Sequence, residues 1–136
     1  MNIFHLRDAS MASTRTLPNA NATNYSSSID LGAVLPQDIC ISMQIEVQIP
    51  ALTDHTNTSI TNTFTLQDSA DNVTFANVNP LIQFGLTGVA TTGTAATAGV
   101  LPIPANVRRY ARVACNVPTS GGTGSNATCT IQPITR

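Results

Sequence analysis

The sequence predicts an all-β fold, a jelly-roll-like β-sandwich of about eight strands with an extended N-terminal arm. Three observations predict it. Ile39, Ile41, Met43, Ile45, Val47 and Ile49 fall on every second position, with Cys40, Ser42, Gln44, Glu46 and Gln48 between them, the period of a strand with one buried face. The same alternation returns twice near the C-terminus, in Arg109 to Val117 and in Ala127 to Pro133. Turn signals recur roughly every ten residues, and no helical period lasts longer than a turn, a spacing that belongs to sandwiches and barrels.

At 136 residues the chain has the length of one domain. From Met1 to about Ser27 there is no sustained period, and Thr14 to Ser28 is small and polar around Leu17 and Pro18. Residues 1–28 therefore read as an extended arm and 29–136 as the domain proper. Ordered structure is expected to begin at Ile29-Asp30-Leu31, closed by Gly32. The long strand 39–49 follows, bounded by Pro36 and Pro50, because proline inside a central strand deletes a ladder hydrogen bond. After a polar loop through Asp54, His55 and Asn57, residues 60–67 read as a strand with β-branched Thr on its exposed side. Asp68 to Asn72 is a dense turn signal, and Val73, Phe75 and Val78 suggest a return strand whose spacing slips after Phe75, as a bulge would make it. Leu81 to Phe84 and Val89 to Thr92 are further strand candidates, and Thr91 to Gly99 reads as a low-complexity loop. The run from Pro118 to Asn126 reads as a hairpin connection. Symmetry about Gly122 would set Val113 opposite Ile131, Cys115 opposite Cys129 and Val117 opposite Ala127.

Composition excludes several function classes. Charged residues are 10% of the chain, net charge is −1 and there is no Lys, so the basic patch that neutralises a phosphate backbone is missing and nucleic acid is not an expected partner. No apolar stretch reaches a membrane span, and Met1 to Ser13 lacks the apolar core of a signal peptide, so a protein made in a cytoplasm is expected. The Asn-x-Ser/Thr triplets, at Asn21 for example, are then a product of composition. Cys40, Cys115 and Cys129 match no zinc spacing. A cross-strand bond between Cys115 and Cys129 is conceivable, but in a reducing compartment buried free thiols are favoured.

No catalytic constellation emerges. His5 falls in the arm, Asp54-His55 reads as a solvated turn, and Asp68, Asp71 and Asn72 read as turn residues and not a calcium loop. No enzyme, cofactor or metal site is expected. Arg108, Arg109 and Arg112 form the charge cluster, around Tyr110. On a strand Arg108, Tyr110 and Arg112 share one face, suited either to an interface or to an ion pair with Glu46 or an Asp of the same molecule.

Read in order, the polar lead-in closing on Ile29-Asp30-Leu31-Gly32, the run Leu66-Gln67-Asp68-Ser69-Ala70-Asp71-Asn72-Val73-Thr74-Phe75, then Leu101-Pro102-Ile103-Pro104, then Arg108-Arg109-Tyr110-Ala111-Arg112-Val113 and a final Thr-rich strand resemble the capsid cement, or decoration, proteins of tailed bacteriophages. The similarity is to the small jelly-roll family typified by the Bordetella phage cement protein. It implies a non-enzymatic virion protein, made in the host cytoplasm, that sits on the outer capsid surface and braces neighbouring major capsid protein subunits as a dimer or trimer. The interface candidates are then Arg108, Tyr110 and Arg112, with Leu17 and Pro18 in the arm. The competing class is a carbohydrate- or receptor-binding sandwich of a phage fibre or cell surface. Sugar sites use exposed aromatic faces, and with no Trp and only Tyr25 and Tyr110 as tyrosines the chain is poorly equipped for that.

Overall fold

A computed structural model describes residues 12–18, 21–33, 43–118 and 127–135. Ten strands follow one another: β1 (Ser13–Thr16), β2 (Ala22–Tyr25), β3 (Ile29–Asp30), β4 (Met43–Ile49), β5 (Thr61–Ser69), β6 (Ala76–Asn77), β7 (Gln83–Thr87), β8 (Thr97–Pro102), β9 (Tyr110–Val117) and β10 (Thr128–Thr135). The only other regular element among the described residues is a single 3-10 turn at Leu31–Ala33, and no helix is long and apolar enough to cross a membrane.

All pairings between named strands are antiparallel and fall into two sheets. The first has the order β1-β10-β4-β8; the second runs β2-β9-β5-β6, with β3 also on β9 and β7 also on β5. Taken along the chain, β1, β4, β8 and β10 belong to the first sheet, and the strands between them to the second. If β2 with β3, and β6 with β7, are counted as interrupted single strands, this alternation gives the eight-stranded jelly roll. The interruption between β2 and β3 is stitched by Ser26, whose amide donates to the Val113 carbonyl at 2.9 Å while its Oγ accepts from the Val113 amide at 2.9 Å.

The alternation that predicts β4 sets its packing: Met43, Ile45, Val47 and Ile49 are buried and Gln44, Glu46 and Gln48 half-buried. Strand β9 contributes Ala111, Val113, Cys115 and Val117 from the opposite sheet, and β10 adds Cys129 and Ile131. Residues 34–42, including Ile39 to Ser42 of the expected long strand, lie outside the described residues, as do residues 1–11, 19–20, 119–126 and 136. Pro133 lies opposite Ile45 of β4, two residues beyond the Ser13–Ile131 pair at which β1 begins.

Four expectations are corrected. The described residues of the expected 1–28 arm, 12–18 and 21–28, are not an arm: β1 pairs with β10, β2 pairs with β9, and Leu17, 2% exposed, belongs to the hydrophobic core. β9 and β10 are not a hairpin either, since they lie in opposite sheets. Alternation fixes which residues point inward, and inward residues are equally well met across a sandwich as across a ladder. The stretch expected as loop up to Gly99 supplies β8 from Thr97, whereas Val89 to Thr92 forms a turn. An added Cβ on Gly99 would come within 2.2 Å of the Phe84 ring, so the glycine that weakens the strand signal is what lets β7 close against β8. Lastly, His55 is fully buried instead of solvated; its amide donates to the Leu52 carbonyl at 3.1 Å and its Nε2 lies 3.2 Å from the Ile60 carbonyl.

Cys115 and Cys129 are free and buried, and burial pushes their thiols up to about 12 and about 11. An unfolded thiol ionises near 8.5 or so. The folded state thus keeps both groups neutral in a range where the unfolded chain ionises them. The stability this contributes is complete below pH ~8.5 and is expected to fall as pH rises towards 11 and 12, by up to about 1.4 kcal/mol per pH unit for each thiol. Chemical denaturation at stepped pH measures it. Peptide-resolved alkylation at pH 8 should leave both residues unmodified in the native protein and modify both in denaturant; labelling of the native protein at the denatured rate would refute it.

Candidate interaction surface

Three of the sequence motifs meet at one end of the second sheet. The register sets Asp30 and Ser69 on either side of Tyr110, and sets Gln67 opposite Arg112. Segments far apart in the chain thereby bring their charged and aromatic residues together.

Two of the arginines are consumed internally. Arg108 precedes β9 and reaches Asp68, which shares the core-facing parity of Phe64 and Leu66 on β5. Its amide donates to Asp68 Oδ2 at 2.9 Å, its Nε to Oδ1 at 2.9 Å, and Nη2 both to Oδ1 and to the Asp68 carbonyl. Burial pushes the Asp68 carboxyl up, but the hydrogen bonds and charge of Arg108 outweigh it and hold the group below the ordinary range. Arg108 therefore does not share an outer strand face with Tyr110 and Arg112; it closes the end of the sandwich through the intramolecular ion pair. Arg109 makes a two-pronged contact with Asp30, Nε to Oδ1 at 3.0 Å and Nη2 to Oδ2 at 2.8 Å. A Cβ on Gly32 would sit 3.1 Å from Arg109 Nε, so a side chain at Gly32 would crowd this fork.

Arg112 differs. Its Cζ lies 3.9 Å from the centre of the Tyr25 ring and 4.0 Å from that of Phe75, and its Nε donates to Gln67 Oε1 at 3.0 Å. Gln67 is held in turn, donating to Asn77 Oδ1 at 3.0 Å. Among the described residues Arg112 has no carboxylate partner, and burial pushes its pKa down.

The turn leading to Phe75 is fixed by Asp71. Its Oδ1 accepts from the amides of Thr74 (2.8 Å) and Val73 (2.9 Å) and from Ser69 Oγ (2.7 Å), which together hold the carboxyl down to about 2. With Oδ1 so engaged, Asp71 acts as a turn residue, and among the described residues no three His, Cys, Asp or Glu gather into a group able to hold a metal. The turn presents Val73, 81% exposed, at its tip; Tyr25 is 40% exposed.

Of the interface candidates, Tyr110 and Arg112 lie on the outer face of β9, Arg108 is paired internally, and Leu17 and Pro18 are buried in their own sandwich. Sequence reasoning missed Tyr25, Gln67, Phe75 and Val73 as members of this surface. The one available signal was the break in alternation after Phe75, where the chain leaves the strand pattern and the ring turns onto Arg112.

None of the curated proteins matches the chain. A model of the Bbp16 family matches residues 12–131, from the start of β1 into β10. The chain belongs to the phage-associated Bbp16 family.

Proposed function

We propose that this protein is a capsid cement protein: a non-enzymatic virion component that binds the outer surface of a phage capsid and, as a homo-oligomer, braces neighbouring major capsid protein subunits. Membership of a phage-associated family carries the reading. The molecule suits the task physically. Its surface is poor in charge and rich in Thr and Asn, so it can hydrogen-bond to a partner while immobilising few long side chains. Repetition over a lattice lets modest contacts sum through multivalency.

Quantifying the protein in purified virions tests the reading. It is expected in near-stoichiometric proportion to the major capsid protein, and capsids lacking it are expected to rupture at lower temperature. Absence from virions, together with glycan binding by the isolated protein, would replace the proposal with the carbohydrate-binding alternative.

A further inference from the structure

Arg112 is the cation at this surface whose charge no described carboxylate balances, whereas Arg108 and Arg109 are matched by Asp68 and Asp30. Tyr25 and Phe75 each centre a ring about 4 Å from the Arg112 Cζ, so two aromatic rings already pack against the guanidinium. That leaves less room for a further aromatic group or a base to stack on it. Nε is committed to Gln67, which leaves the Nη donors, in the plane of the group. An in-plane pair of N–H donors beside two aromatic rings fits a carboxylate, which accepts both bonds in that plane. A polyanion such as nucleic acid would need several adjacent free cations, and the neighbouring arginines are already paired.

We propose that Arg112 is the recognition point for an Asp or Glu side chain of the major capsid protein, with Tyr25, Phe75 and the protruding Val73 as the apolar rim that excludes water around it. The inference rests on the capsid-binding reading and names its contact chemistry. Arginine and tyrosine at the centre of a patch, ringed by apolar surface, are what energetically dominant interface residues look like. The geometry is also set before any partner arrives, because Asp71 holds the turn and Gln67 holds the guanidinium, so little ordering remains to be done on binding.

The test is binding of the full chain to capsids that lack it, with thermal unfolding and sedimentation of each variant alongside. Arg112→Gln is expected to lower affinity at least tenfold or so at unchanged oligomeric state. Arg112→Lys should fall between it and the wild type, since it keeps the charge and loses the planar fork. Val73→Asp, at a position too exposed to affect folding, should also weaken binding, and it decides the matter if Arg112→Gln does not fold. Wild-type binding with undiminished binding by Arg112→Gln, or by Val73→Asp where that variant decides, overturns this inference and leaves the capsid reading standing. Dissociation of the homo-oligomer by Arg112→Gln overturns it too, by assigning the surface to contacts between copies. Failure of the wild type to bind capsids overturns both.

Discussion

Removal of residues 1–28 is expected to abolish cooperative folding, although the sequence of this stretch reads as an extended arm outside the core. Four residues of β1 pair with β10 and four of β2 pair with β9, so the deletion would leave β10, and β9 beyond its β3 pairs at Tyr110 and Ala111, as open edges with unpaired N–H and C=O groups. It would also remove Leu17, whose amide donates to the Ala127 carbonyl at 2.9 Å and whose side chain is in the core. Burying one such leucine stabilises by roughly 1.5–3 kcal/mol, and each ladder hydrogen bond adds about 0.5–1.5 kcal/mol net. Together these losses rival the roughly 5–15 kcal/mol that separates a domain of this kind from its unfolded state. Urea titration followed by circular dichroism should show no sigmoidal transition for residues 29–136. A midpoint close to that of the full chain would return the segment to the status of an arm. On the proposed capsid-binding reading, loss of binding on such a deletion would then report unfolding and not a lost contact.

What could be read from the sequence follows from where burial is one-sided. β4 and β9 were legible because each buries one face more deeply than the other, so period two survives in Met43 to Ile49 and Ala111 to Val117. β1 and β2 were not, since they are short edge strands of mainly polar residues, with the buried Leu17 just beyond the end of β1. The two-sheet partition was beyond an alternation argument, which gives the inward set and leaves its partners open. For the surface, the residue types at Arg108 to Arg112 were visible, as was an intramolecular Asp partner as one alternative. Which arginine remains unmatched depends on Asp30 and Asp68, 79 and 40 residues away along the chain. That information is in the register of β3 and β5 against β9, and local sequence does not encode it.

Phe64→Ala is expected to be the most damaging single truncation, at about 3–5 kcal/mol. Phe64 is fully buried in the middle of β5, the strand that joins β9 on one side to β6 and β7 on the other. Its ring stacks on Phe84 of β7 with centroids 4.8 Å apart and planes 12° from parallel, and Phe84 in turn covers Gly99 of β8. Truncation therefore empties a core site and removes the platform on which the β7–β8 edge of the sandwich is closed. The aromatic pairing itself contributes about 0.5–1.5 kcal/mol of the loss. Phe84→Ala should cost less, because that ring is half-buried. The two truncations should be less than additive, since either one already breaks the stack. Urea midpoints of the single and double variants measure this directly. A cost below about 1 kcal/mol for Phe64→Ala, or full additivity with Phe84→Ala, would mean that the edge is closed by other contacts. Because β5 also carries Gln67 and Asp68, the residues that seat Arg112 and Arg108, loosening Phe64 should reach the interaction surface through the same strand.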